Sequence, residues 1–229
     1  ENAPEFLLVS KHAGVDFHKG RTNISLVETI RMELNISELY PLHRLDTMTS
    51  GLLLFAKSRP VAAELAAQFR THSIEKFYIA LAGTHPKKKQ GLVCGDMVRS
   101  RNGTWALTRT MKTPAVTQFY SAGMGNGLRL YLLKPFTGKT HQIRVAMKSL
   151  GVPILGDPLY NKKQNDLFTS DRGYLHAYAL KFTVNNKTYR FTDMPTEGTY
   201  FTDKAFRDCI RKFSDPWSLA WRNVPSTSR

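Results

Sequence analysis

The chain has 229 residues, 41% of them hydrophobic and 11% aromatic, enough for one sizeable core. Its 33 Lys and Arg outnumber 18 Asp and Glu, and the net charge of +15 points to nucleic acid rather than to an anionic membrane. No stretch approaches the roughly 20 apolar residues of a membrane span, the start at Glu1-Asn2-Ala3-Pro4 lacks the features of a secretory signal, and two distant cysteines, Cys94 and Cys209, give no disulfide framework. A reducing, cytoplasmic setting is expected.

In chain order, residues 6–10 read as a strand. Ser25 and Glu28 have capping-box spacing, and Leu26, Ile30 and Leu34 then recur at helical intervals. Ser58-Arg59-Pro60 opens a second helix whose inner stripe is Val61, Leu65 and Phe69. Residues 76–84 form a strand with Phe77, Ile79 and Leu81 on one face, so Tyr78 points to the other. Residues 104–111, 115–121 and 128–133 have strand composition, with a flexible turn at 123–127. Residues 140–150 read as a helix closed by Gly151. Strands at 175–184 and 187–192 are joined by Asn185-Asn186. A short helix at 203–213 and a frayed tail at 225–229 follow. The expected class is α+β, a mainly antiparallel mixed sheet flanked by helices. A single domain over 1–229 is expected, its motif-bearing core at about 6–192 and a C-terminal helix and tail at 199–229.

Two clusters carry chemistry. His43-Arg44-Leu45-Asp46-Thr47-Met48-Thr49-Ser50-Gly51 runs directly into the apolar 52–56, which places Asp46 in a loop entering the core. Thr137-Gly138-Lys139-Thr140-His141-Gln142-Ile143-Arg144 lies at a strand–helix junction. Gly138-Lys139-Thr140 is no phosphate-binding loop, because Leu133 stands where that loop needs its first glycine. His43-Arg44-Leu45-Asp46 lacks the glycine-rich loop and Asp-Phe-Gly of a kinase. The histidines and cysteines have no metal-ligand spacing.

The first cluster resembles the signature of the RluA family of RNA pseudouridine synthases. Three further segments follow in the family's order: Lys76-Phe77-Tyr78-Ile79-Ala80-Leu81-Ala82-Gly83, the basic motif 138–144 continued by Pro153-Ile154-Leu155-Gly156-Asp157-Pro158-Leu159-Tyr160, and Leu175-His176-Ala177. The chain departs from the family at Lys11-His12, where Lys-Pro is usual, and at Lys139, where Arg is common. The resemblance implies the pseudouridine synthase catalytic fold, without the small RNA-binding domain that precedes it in some members. It also implies isomerisation of a flipped-out uridine in structured tRNA or rRNA, by a monomer needing no cofactor or metal. Asp46 is then the catalytic carboxylate, as nucleophile at the sugar carbon or as base on its neighbour. Burial would raise its pKa unless a cation paired with it, and Arg144 is the candidate.

Tyr78 would lie against the uracil and exchange a proton late in the reaction, or is a half-buried strand tyrosine. Leu175 would pack on the other side of the base, or is a core leucine. Arg44 would fill the gap left by the extruded base, or is a surface salt-bridge partner. Thr140 and His141 belong to the substrate-binding set. Lys87-Lys88-Lys89 and Lys162-Lys163 are candidate phosphate contacts, and specificity is expected in the loops 84–104 and 160–173. Two other functions stay open: a catalytically idle RNA-binding or RNA-folding protein, and a glycosylase that releases free uracil.

Overall fold

The computed structural model describes residues 1–18, 24–83, 86, 88–162 and 168–222. Lys87, Lys163 and the expected frayed tail lie outside the described residues. The chain forms two compact units, one of Glu1–Lys76 with His176–Met194, the other of Phe77–Leu175 with Pro195–Arg229.

The first unit begins with β1 (Phe6–Lys11) and α1 (Leu26–Glu33). The capping box at α1 is present: the Ser25 amide donates to Glu28 Oε2 at 2.9 Å, and the Glu28 amide to Ser25 Oγ at 3.3 Å. Then come β2 (Tyr40–Pro41), β3 (Ser50–Ala56) and α2 (Arg59–Arg70), with Pro60 in the first turn of α2. All seven residues of β3 are buried, as its continuous apolar run requires.

In the second unit β4 (Glu75–Ala82), which starts two residues before the boundary, pairs antiparallel with β9 (Leu128–Pro135). That strand pairs with β8 (Ala115–Gly125), which pairs with β5 (Gln90–Gly95). A separate hairpin is made of β6 (Met97–Arg99) and β7 (Trp105–Leu107). The second unit also holds α3 (Gln142–Ser149) and α4 (Lys204–Ile210), while β10 (Leu175–Val184), apart from its first residue, and β11 (Lys187–Thr192) belong to the first.

In the first unit β3 pairs antiparallel with β1 and parallel with the start of β10, and β11 returns along β10. Asn185 and Asn186 both take positive φ, 51° and 61°, as a type I′ turn demands. The core joins Phe6, Leu52, Leu54, Leu65 and Phe182, with Tyr189 and Phe191 packed against it. Phe6 meets Phe182 edge-on at 5.0 Å.

Several elements differ from the sequence reading. Strand β8 continues through Gly123 to Gly125, so only Asn126-Gly127 turns, both at positive φ. Helix α3 starts at Gln142 instead of 140, because His141 is left-handed with φ 57°. The strand expected over 104–111 is only the three residues of β7. The loop 84–104 holds β5 and β6; two glycines in Gln90–Gly95 dilute its strand composition.

At Gly51 the backbone of β3 runs close against that of β10 at Ala177. Its φ is 104°, and a Cβ there would lie 2.4 Å from the Ala177 carbonyl oxygen. Gly51→Ala is therefore expected to lose at least about 2 kcal/mol through backbone strain and overlap with main chain that cannot move aside. Denaturant unfolding of the purified variant checks this; wild-type stability would show that the two strands can separate locally.

Candidate active site

In the first unit the residues 43–49 form a loop ending in a turn and anchored from two sides. Leu45 is buried, and the Thr49 amide bonds to the Asp46 carbonyl at 2.9 Å. His43 is the anchor. Its Nε2 accepts from the Leu54 amide at 3.0 Å, and its ring stacks on Phe69 at 5.2 Å. That hydrogen bond requires the tautomer with the proton on Nδ1. Burial, reinforced by the charge of Lys76, drives the imidazole pKa down to about 3.

On the other side, buried Lys11 sends its Nζ to the carbonyls of His12 and Val15, both at 2.9 Å, and of Thr47 at 3.4 Å. The Gly14 amide bonds the same Thr47 carbonyl at 2.8 Å, and Thr47 Oγ1 donates to Asp16. The segment after β1 is thus stitched to the Asp46 turn. Asp46 itself is half-buried. Arg44 is exposed, with Nη1 3.0 Å from His18 Nε2. Sequence reading noted Lys11 only as part of a departure from the usual motif. A lysine at a strand end gives no signal that its amine is buried against three carbonyls.

Where the turn enters β3, Ser50 Oγ lies 2.8 Å from His176 Nδ1. The other ring nitrogen meets the Asp193 carbonyl at 2.9 Å, with Asp193 Oδ2 at 3.4 Å. Ser10 Oγ donates to the same carboxylate. Burial alone would raise the Asp193 pKa, but the bonds from His176 and Ser10 outweigh it and hold the carboxyl below its ordinary value. Ser50 and His176 are both buried, and this chain of bonds ties β1, β3 and the start of β10 to the residue that follows β11.

The His43 anchor has a pH consequence. Below its ordinary pKa near 6.5 the unfolded chain takes up a proton that the folded ring refuses until about pH 3. Stability therefore falls as pH falls through that window. Between pH 7.5 and 5 the expected loss from this one group is about 2 kcal/mol. A His43→Gln variant, whose amide oxygen can still accept from Leu54, should lose correspondingly less. Urea unfolding at both pH values tests it, and identical losses would exclude His43 as the source.

In the second unit, Gln142 closes the loop before α3. Its Oε1 accepts from Thr137 Oγ1 at 2.7 Å and from the Lys139 amide at 3.0 Å, while Nε2 donates to the Val116 carbonyl at 3.0 Å. This loop leaves Thr140 exposed and His141 half-buried, and sets Arg144 in the first turn of α3. Arg144 is buried and grips Asp157 with two bonds, Nε to Oδ2 at 2.7 Å and Nη2 to Oδ1 at 2.8 Å. Asp157 Oδ1 also accepts from the amides of Leu159 and Tyr160. The Tyr160 ring lies 5.0 Å from the Arg144 guanidinium, and its hydroxyl is 3.0 Å from His141 Nδ1.

Asp157 and Tyr160 stand in the continuation of the basic motif, where spacing alone assigns neither a role. The guanidinium has a partner thirteen residues away that spacing alone did not single out. Tyr78 is half-buried on β4, opposite in phase to Phe77 and Ile79, which are fully buried. Leu175 is buried at the start of β10. The constellation thus divides, Arg44 and Asp46 in the first unit and Tyr78, Thr140, His141, Arg144 and Leu175 in the second.

These features coincide with a known class. Residues 5–149, more than half of the chain, match the family model described as RNA pseudouridylate synthase. An uncharacterized RNA pseudouridine synthase of Haemophilus influenzae is 45% identical over 197 residues, covering 86% of this chain and 87% of that one. The dual-specificity RNA pseudouridine synthase RluA of Pasteurella multocida is 39% identical over 148 residues, covering 62% of this chain and 66% of that one. Among solved structures, human RNA pseudouridylate synthase domain containing 1 has a TM-score of 0.70 at 25% identity, covering 84% of this chain and 81% of that one. The fold is therefore that of the pseudouridylate synthases, α+β with a mainly antiparallel sheet. The chain belongs to the RluA family of RNA pseudouridine synthases, enzymes that isomerise uridine in RNA. No helix among the described residues is long and apolar enough to cross a membrane.

Proposed function

We propose that this enzyme isomerises a specific uridine of a structured tRNA or rRNA, with Asp46 as its catalytic carboxylate and the base flipped out of the stack. The observation that carries the reading is the Asp46 turn. It is anchored by the neutral His43 on one side and by Lys11 on the other, and it keeps Asp46 half-buried. Such a turn is preorganised, so the carboxylate loses little conformational freedom on meeting the sugar. In breaking the glycosidic bond, positive charge develops on the ribose, and Asp46 either adds to the sugar carbon or takes a proton from its neighbour. The uracil then turns and rejoins through C5.

Tyr78 packs against the base and exchanges a proton late in the reaction, and Leu175 covers the other side. Arg144 supplies the positive charge that complements the Asp46 carboxylate. Arg44, exposed beside Asp46, fills the gap left by the target nucleotide, whose extrusion costs a few kcal/mol. Thr140 and His141 line the substrate path. The protein acts as a cytoplasmic monomer in one catalytic domain, and needs neither metal nor cofactor.

The assay is direct. tRNA and rRNA lacking the modification are incubated with the protein and mapped for pseudouridine and for abasic sites. Pseudouridine at one position supports the reading. Abasic sites with free uracil would replace it by a glycosylase, and RNA binding without either product by an idle RNA-binding protein.

A further inference from the structure

Between Met97 and Thr113 the chain carries Arg99, Arg101, Arg109 and Lys112 and no acidic residue. All four cations are exposed. This stretch is not a solvated loose loop. Residues 97–107 are the β6–β7 hairpin, and residues 108–113, with Arg109 and Lys112, close its base through a dense set of bonds. The Asp96 amide donates to the Thr110 carbonyl at 2.9 Å, and the Thr108 amide to the Asp96 carbonyl at 2.8 Å. The buried Asp96 carboxylate takes the Thr113 amide at 2.7 Å and the Lys112 amide at 2.9 Å. At Gly95 the returning chain passes so near that a Cβ would sit 2.1 Å from the Thr108 carbonyl oxygen. The tip is a left-handed Asn102-Gly103 pair, spanned by the Ser100 amide on the Thr104 carbonyl at 2.8 Å. The buried charge at its base, Asp96, is consumed in closing the arm, so the outer surface carries positive charge alone.

The arm is also tied to the residues around Arg144. Strand β7 packs beside α3, and the Trp105 amide donates to the Tyr160 hydroxyl at 2.8 Å. That hydroxyl is the one that meets His141 Nδ1, and the same ring lies under the Arg144 guanidinium. Arg99 in turn lies 5.9 Å from the centre of the Trp105 ring.

We propose that the β6–β7 hairpin is an arm that binds the RNA backbone, latched through Tyr160 beside Arg144. It rests on the reading that the substrate is structured RNA, and goes beyond it by naming which cations hold the phosphates. A hairpin closed before binding presents several guanidinium groups without first being ordered, which favours a polyanion of fixed shape over a flexible acidic peptide.

The test replaces Arg99, Arg101 and Arg109 together by Gln, with the corresponding Lys triple variant as control. Circular dichroism melting verifies that both fold. The probe is unfractionated tRNA, its affinity measured across a salt series. Each lost phosphate contact should flatten the slope of log affinity against log salt by roughly 0.7–0.9. The Gln variant is expected to lose about two units of slope and at least about tenfold in affinity at 0.1 M salt. The Lys variant should keep the slope, and single-turnover rates at saturating RNA should stay within about twofold in both, because uniform binding is lost and not transition-state binding.

Unchanged affinity and slope in the Gln variant would overturn the proposal, as would a lost saturated rate at unchanged affinity. A hairpin-dependent slope on tRNA that is never modified would leave the arm standing and redirect the choice of target RNA.

Discussion

Asp46→Asn is expected to abolish pseudouridine formation while RNA affinity changes by no more than about twofold. The amide keeps the size of the side chain and much of its hydrogen bonding, so the turn built by His43, Lys11 and Thr49 should survive. What disappears is the charge and the nucleophilic or basic oxygen, without which the ribose carbon has no partner as the glycosidic bond breaks. The expected loss is at least about 10³-fold in single-turnover rate. A preparation free of host enzyme that retains more than a few per cent of wild-type turnover would remove Asp46 from the mechanism. An accompanying fall in melting temperature would show that the carboxylate also braces its own turn.

Arg144→Met has the second largest expected effect, on two observables at once. Asp157 is fully buried and gives both carboxylate oxygens to Arg144. Removing one partner of a buried ion pair leaves an uncompensated charge and typically costs about 3–5 kcal/mol. For a chain of this size that corresponds to a fall in Tm of roughly 10 °C. Catalysis should fall as well, because the proposed reaction needs the same guanidinium to complement the Asp46 carboxylate.

The double variant Arg144→Met with Asp157→Asn separates the two effects. It removes the orphaned charge, while the carboxamide oxygen that replaces the carboxylate can still accept from the Leu159 and Tyr160 amides. The double variant should therefore recover most of the lost stability and none of the turnover. Recovery of both would reduce Arg144 to a structural residue, and loss of neither in the single variant would place the guanidinium outside the site.

Much of this was legible in the one-dimensional pattern, for identifiable reasons. The capping box at Ser25, the Asn185-Asn186 turn, the apolar run of β3 and the alternation around Tyr78 are local signals. Each depends on residues within a few positions, where backbone preference and burial periodicity act directly. The Asp46 turn was legible for the same reason, as a polar loop running into a buried strand. The ordered motifs, taken together, resembled one family, and the comparisons bear that out.

Other features depend on partners that no spacing announces. The buried Lys11 amine meets carbonyls as far as 36 residues on, His176 joins a serine 126 residues before it to Asp193, and Arg144 is gripped by Asp157. The hairpin arm was hidden because its strands are three residues each, too short for an alternating pattern to emerge. Its closure is made by one carboxylate, Asp96, reaching amides sixteen and seventeen residues away. Sequence alone therefore determined the polar loop around Asp46 and the strand it enters, since those follow from residue type and local periodicity, and it pointed to the reaction class only through the resemblance of four ordered motifs to one family. Only the tertiary structure decided what holds each charge in place, because a buried charge takes its stability from whichever distant groups the fold brings within hydrogen-bond reach.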